Sequence, residues 1–318
     1  MNNLSYTIEE IAGILKVSKL TVYGLIKKGK LPAYRVGRQM RVDAADLEVY
    51  KSNTKGRERE NPILPNADLS RSQEEQVQHA AASGQSIIIS GQDMCLDILA
   101  KHVEKRTIGY RPLRSYVGSL NSLISMYRGE ADIVSVHLLD GDTGEYNVPY
   151  VRKILVSHRY VIVNLLSRRA GFYVAKGNPK QIQTWEDIAK PGVRMVNREK
   201  GSGARVLLDE QLRIHNIPAK KIIGYDKEES NHLGVAGSIA SGEADAGIGI
   251  EKAAAIVGVD FIPLIKERYD IVMIKSPHNE QLIETMIEVL QSSSFQHEVR
   301  SIGGYDLSQT GRIIYETE

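Results

Sequence analysis

The chain reads as an α/β protein behind a small basic helical head, and three observations predict this. From Ser86 onward short apolar runs alternate with helical stretches: Ile87-Ile88-Ile89, Ile133-Val134-Ser135-Val136, Val161-Ile162-Val163, Ala246–Ile250, Phe261-Ile262 and Ile271-Val272-Met273-Ile274. That texture is expected of a largely parallel sheet covered by helices. Charge is uneven. Residues 1–55 carry ten Lys and Arg against five acids, +5, which leaves −3 for the rest of a chain whose net charge is +2. A basic head on a mildly acidic body is suited to meeting a polyanion. Third, Asn197-Arg198-Glu199-Lys200-Gly201-Ser202-Gly203-Ala204-Arg205 sits between a short strand and a helix marked by Val206, Leu207, Leu208 and Leu212. Glycines there let backbone N–H groups converge, and a helix N-terminus adds partial positive charge.

The head begins with a capping box, Thr7 as N-cap and Glu10 three residues on. Ile8, Ile11, Ala12 and Leu15 mark the inward face of the first helix, and Ser18 caps a second, Lys19–Lys28, facing inward through Val22, Leu25 and Ile26. Gly29–Val42 then reads as two short strands around Gly37-Arg38, a basic hairpin, and Asp43 caps a third helix, Ala44–Lys51. The order helix, helix, basic wing, helix resembles the excisionase and MerR-like winged helix-turn-helix domains. The carrying residues are Thr7–Leu15, Ser18–Ile26, Gly29-Lys30-Leu31-Pro32, Arg35-Val36-Gly37-Arg38, Arg41-Val42 and Asp46-Leu47. The resemblance implies double-stranded DNA as partner. Lys19, Thr21, Tyr23 and Lys27 of the second helix would enter the major groove, and Arg35, Arg38 and Arg41 on the wing would hold phosphates.

The head is expected over residues 1–52. Residues 53–85 are polar, charged and carry Pro62 and Pro65, so they read as an exposed linker, with a short helix expected over Ser70–Ala82. The second domain, 86–318, contains an internal echo: Gly129-Glu130-Ala131-Asp132-Ile133 recurs as Gly242-Glu243-Ala244-Asp245-Ala246. Ten residues before these glycines stand Ser119 and His232, each at the expected start of a helix. Two similar lobes would then aim a helix N-terminus and a polar side chain at one cleft.

These stretches, with Ser90-Gly91-Gln92-Asp93, Gly118-Ser119-Leu120, Val136–Asp140, Glu145-Tyr146-Asn147, Gly177-Asn178-Pro179 and Phe261-Ile262-Pro263-Leu264, are similar to the type II periplasmic-binding-protein-like family. They resemble in particular its molybdate-binding-like branch, which occurs fused to DNA-binding domains. The resemblance implies two lobes, about 86–165 with 268–318 and about 166–267, closing on a small anion. It implies Ser90, Gln92, Ser119, Ser202, Gly203, Arg205 and His232 as ligand contacts. It departs from that branch at Gln92-Asp93, where a His-Asp pair is expected, and at Ala204, where a hydroxyl is usual.

Other chemistries lack their residues. One cysteine, Cys95, permits no intrachain disulfide and no Cys-based metal site. His137 and Asp140 have no third ligand at metal-binding spacing. Gly247-Ile248-Gly249 lacks the third glycine and downstream acid of a dinucleotide site. No nucleophile–base pair stands out, so no enzyme activity, metal or cofactor is expected. The N-terminus has no signal-peptide pattern and no apolar run reaches membrane-spanning length. The expectation is a cytoplasmic, dimeric transcription regulator sensing a small oxyanion, molybdate and tungstate among the candidates. The alternative is an excisionase-like architectural accessory protein whose second domain binds a partner or an organic ligand.

Overall fold

Thr7 and Glu10 close the first helical turn reciprocally. The Thr7 N–H donates to Glu10 Oε2 at 2.8 Å, and the Glu10 N–H donates to Thr7 Oγ1 at 3.3 Å. The computed structural model in which this is seen describes residues 5–15, 17–27, 31–36, 39–54, 85–107 and 109–318. It divides into two units, 1–69 and 70–318.

In the first unit β1 (Ser5–Thr7) leads into α1 (Ile8–Leu15) and α2 (Lys19–Lys27), followed by β2 (Tyr34–Val36), β3 (Gln39–Asp43) and α3 (Ala44–Thr54). The three strands form an antiparallel sheet in the order β1-β3-β2. Ile8, Ile11, Val22, Leu31, Val42 and Leu47 make its core, so the periodicity of the sequence is matched. Strand β1 was not anticipated. It exists because Ser5–Thr7 pairs with Arg41–Asp43 across the sheet. The Gly37-Arg38 turn and the Ser70–Ala82 helix lie outside the described residues.

The second unit runs β4 (Gln85–Ser90), α4 (Cys95–Arg106), β5 (Tyr110–Ser115), α5 (Ser119–Tyr127), β6 (Ile133–Val136), α6 (Val148–Ile154) and β7 (Tyr160–Val174). It continues with β8 (Met195–Arg198), α7 (Gly203–Ile214), β9 (Glu228–Glu229), α8 (His232–Ala240), β10 (Ala246–Ile250), α9 (Glu251–Val257) and β11 (Asp260–Ile274). Helices α10 (Glu280–Gln291) and α11 (Ser293–Ile302) and strands β12 (Tyr305–Asp306) and β13 (Ile313–Glu316) complete it.

Its sheet order, β5-β4-β6-β11-β7-β10-β8-β9, contains two parallel halves, β5-β4-β6 and β10-β8-β9. They are joined by β7 and β11, which run antiparallel to each other over their full 15 residues, from Tyr160↔Ile274 to Val174↔Asp260. Strand β6 pairs with the Asp270–Met273 end of β11, and β10 with the Ala170–Val174 end of β7. The chain therefore crosses twice between two lobes. The sequence shows β11 as two apolar runs, Phe261-Ile262 and Ile271–Ile274, because charged Lys266-Glu267-Arg268 separates them. The backbone pairing carries the strand straight through, with register shifts at Pro263/Ile265 and Tyr269/Asp270.

The echo is structural. Gly129 and Gly242 both adopt left-handed backbone, φ 72° and 77°. Asp132 accepts the Ile88 N–H at 2.7 Å in lobe 1, and Asp245 accepts the Arg194 N–H at 2.9 Å in lobe 2. In each lobe one carboxylate thus ties a helix–strand turn to the neighbouring chain. Separate cores lie on the two faces of each lobe, around Leu99, Val163 and Met286 and around Leu123, Val134 and Ile162 in lobe 1. In lobe 2 they lie around Phe172, Met195 and Leu208 and around Tyr173, Val235 and Ile239.

Candidate functional site

Ser119 is the first residue of α5 and His232 the first of α8, and both line one cavity between the lobes. The cavity measures about 10 Å³, room for a single water. Gln92, Asp93, Ser135, His137, Arg168 and Tyr269 also face it. Its small size follows from contacts that hold the lobes together. Arg198 of β8 donates to Gln92 Oε1 at 2.5 Å, and the Gln92 amide donates to Glu199 Oε1 at 3.1 Å and to the Ser230 carbonyl at 3.3 Å. The Leu120 N–H, at the N-terminus of α5, donates to the Gly201 carbonyl of the other lobe at 2.9 Å. A Cβ on Gly118 would meet that carbonyl at 2.8 Å, and one on Gly203 would lie 2.5 Å from the His137 ring. Gly201 itself adopts φ +87°, which favours glycine.

The floor of the cavity is an ion cluster on the crossing strands. Arg168 of β7 donates to both Asp93 and Glu267 and lies 4.4 Å over the Tyr269 ring. Glu267, opposite Arg168 in the β7–β11 register, also bonds His137 Nδ1 at 3.1 Å. Tyr305 donates to Asp93 at 2.9 Å, and Ser135 and Tyr269 share a hydroxyl bond of 2.6 Å. Burial alone disfavours the charged form of Glu267. The Arg168 guanidinium and His137 outweigh it and hold the carboxyl at about 2. Burial likewise works against the Arg168 cation, and Glu267 and Asp93 outweigh it, so its pKa is raised further.

Among the described residues three buried side-chain atoms have no hydrogen-bond partner: Tyr146 Oη, Asn164 Oδ1 and His232 Nδ1. Of these residues only His232 lines the cavity. Its residue as a whole is partly exposed, but Nδ1 is covered.

The other ligand residues expected from the sequence do not line this cavity. Ser90 Oγ is buried against Ser122 Oγ at 2.9 Å. Ser202 is the N-cap of α7, accepting the Arg205 N–H at 3.2 Å and donating to the Glu199 carbonyl at 2.9 Å. Gly203 packs on His137. Arg205 turns its guanidinium to Asp209 at 3.2 Å and Glu228 at 3.0 Å and stacks 4.3 Å over Tyr225. Its charge is spent within lobe 2. The sequence reading missed Arg168 and Glu267 as cleft residues. Their signal was charged residues set inside otherwise apolar strands, Ser167-Arg168-Arg169 and Lys266-Glu267-Arg268.

On the head, a groove of about 620 Å³ between α2 and the wing is lined by Lys19, Tyr23, Tyr34, Arg35 and Met40, among others. Tyr23, Tyr34 and Arg35 are exposed. Lys19 is ion-paired with Glu9. The Thr21 N–H donates to the Ser18 cap at 3.1 Å, and Arg41 donates back to Ser5 Oγ at 3.2 Å. Lys27 lies in α2 with its side chain outside the description, and Arg38 is outside the described residues. Among the described residues no group of His, Cys, Asp and Glu is arranged to hold a metal, and no helix is long and apolar enough to cross a membrane.

A family profile described as the PBP superfamily domain matches residues 100–291. The chain belongs to the PBP superfamily. A second profile, a helix-turn-helix domain, matches residues 5–55. This PBP-superfamily chain is 52% identical to the Bacillus subtilis protein YvgK over 314 residues, 98% of each chain. Among solved structures it is similar to an ABC-transporter substrate-binding protein from Clostridium perfringens with bound phosphate, at 15% identity and TM-score 0.51, covering 70% of this chain and 99% of that one. It is also similar to hydrogen-peroxide-bound OxyR from Corynebacterium glutamicum, at 11% identity and TM-score 0.52, covering 93% of this chain and 89% of that one. At these identities both show the fold. A helix-turn-helix DNA-binding domain joined to a ligand-binding domain makes the protein a DNA-binding regulator, and neither domain is of a catalytic type.

Proposed function

We propose that the protein is a one-component transcription regulator whose two-lobed domain senses a small anion, an oxyanion such as molybdate, tungstate, sulfate or phosphate, and passes the signal to the head. The observation that supports this most is the pairing of Ser119 and His232. Equivalent helices of two lobes present their first residues to one cavity, and beside it the α5 N-terminus already holds an oxygen of the other lobe, the Gly201 carbonyl. A ligand oxygen taking that place would be held by the same donor. Entry requires the Arg198–Gln92 contact to part, so ligand acts by its preference for one lobe arrangement. The regulator works in the cytoplasm as a homodimer, because two heads read two half-sites.

A second reading is favoured by Asp93 and Arg168 facing the same cavity: parted from each other, a carboxylate and a guanidinium match a zwitterion such as an amino acid. Thermal unfolding of the full chain separates the two. A ligand binding only the folded form adds about 2.7 kcal/mol at a hundredfold excess over its dissociation constant. Stabilisation by one oxyanion and not by amino acids is expected, together with a change in duplex affinity in the presence of that anion. Equal duplex affinity with and without saturating ligand would sink the sensor reading.

A further inference from the structure

The charges around the cavity leave no cation free for an incoming anion. Arg168 is taken by Asp93 and Glu267, and Arg198 by Glu199 through bonds of 2.8 Å to both carboxylate oxygens. Against these three carboxylates stand two guanidinium groups and the His137 imidazole, which is bonded to Glu267. A dianion placed here would leave a negative excess in a buried site, which is costly unless a positive charge enters with it. His137 on the cavity wall is already bonded to Glu267, which leaves His232 to supply that charge. His232 Nδ1 is covered, has no partner and faces the same space.

We infer that an anion binds in this cleft together with one proton, which it brings to rest on His232. The inference rests on the anion-sensing reading of the cleft. The surroundings of His232 fit it. Helix α8 packs on β8, which brings Arg198, on β9, which brings Glu228 and Glu229, and on β7, which brings Arg168 and Arg169. It also packs on α9, which brings Glu251 and Lys252, and on β10, which carries no charge. Glu228 is bonded to Arg205, Glu229 to Ser238, Arg169 to Glu251, and Lys252 to the Ile302 carbonyl. Across the cleft stand His137, Asp93 and Glu267. In the ligand-free protein burial, and then Arg198, Arg168 and His137, keep the His232 imidazole well below the usual histidine range, so it is neutral at neutral pH. An anion against Nδ1 reverses the sign of that field and favours the imidazolium, whose two N–H groups donate. Binding then takes up a proton from solvent.

The test is calorimetry on the full chain with sulfate and, separately, molybdate, each in two buffers of different ionisation enthalpy. Both anions are fully ionised near neutrality, so any proton taken up goes to the protein. Uptake near one proton is expected, with affinity falling up to tenfold per pH unit as pH rises between the free and bound pKa values of His232. His232→Gln, which keeps a hydrogen-bonding side chain but cannot titrate, should bind with no proton uptake and no pH slope. ¹⁵N-histidine NMR of the bound wild type should show both ring nitrogens of His232 protonated at neutral pH. Binding without proton uptake, or a neutral His232 ring in the bound state, would overturn the inference and leave the anion sensor standing. No heat and no stabilisation with either anion would overturn both.

Discussion

Arg168 and Arg205 are almost equally buried, at 4% and 3% exposure, yet they serve opposite ends. Arg168 stands where the two crossing strands meet and binds carboxylates from two other places in the chain, Asp93 and Glu267, both themselves buried. Arg205 stands in the first turn of α7 and binds Asp209 and Glu228, both half in water, with Tyr225 beneath it. The first ties the hinge to the cleft floor, and the second ties lobe 2 to itself. Burial of an arginine therefore says little about its duty until the burial of its partners is known.

The largest effect that could break this comparison is Arg168→Leu. It strands two buried carboxylates, and unfolding of the full chain in urea should show a loss of roughly 3–5 kcal/mol. A loss under about 1 kcal/mol would mean that the cluster relaxes freely. Acid should expose the same cluster. The Glu267 pKa is depressed from 4.5 to about 2 in the folded protein, so its contribution is present above the unfolded value and disappears as pH falls between the two. By linkage that part amounts to about 3 kcal/mol, and stability measured between pH 5 and 2 should lose it in the wild type and not in Glu267→Gln. Equal slopes in both proteins would assign the acid sensitivity to other carboxylates.

Gly118→Ala probes the opposite lobe's approach. Its Cβ would overlap the Gly201 carbonyl and the Ser202 backbone, an overpacking cost of roughly 1–3 kcal/mol that opening of the lobes relieves. A larger radius of gyration by X-ray scattering is expected, and an unchanged radius would show that the loop simply shifts. The smallest effect is Arg205→Ala, about 1–2 kcal/mol of stability from lost stacking and half-solvated ion pairs, with ligand affinity retained. Loss of ligand binding in that variant would return Arg205 to the cleft.

Much of the architecture was legible because it rests on local rules. The Thr7/Glu10 box, the Ser18 cap and the paired Gly-Glu-Ala-Asp turns each need only a few neighbouring residues, and the structure has them in place. The resemblance implied two crossings, near 165 and 268, but the unbroken strands that make them were not legible in the residues. Their middles carry Arg168 and Glu267, and charged residues inside a strand look like a loop unless the partner strand about a hundred residues away is known. The same distance hid the true surroundings of Arg205. Its carboxylate partners look like ordinary surface acids in sequence, and only folding places Glu228 of β9 beside α7. Ser90 illustrates the limit from the other side: it follows a strand as a ligand serine should, but Ser122 reaches it first.

The double crossing has a consequence for how the chain is made. Lobe 2 is contiguous in sequence, while lobe 1 is begun by β4, α4, β5, α5 and β6 and finished only by the far end of β11, α10, α11 and β13. On the ribosome the lobe made first is completed last. Until Asp270–Met273 emerges, β6 exposes an unpaired edge of Ile133-Val134-Ser135-Val136, all buried in the finished protein. At roughly 5–20 residues per second that edge waits several seconds, long enough to need cover from a chaperone.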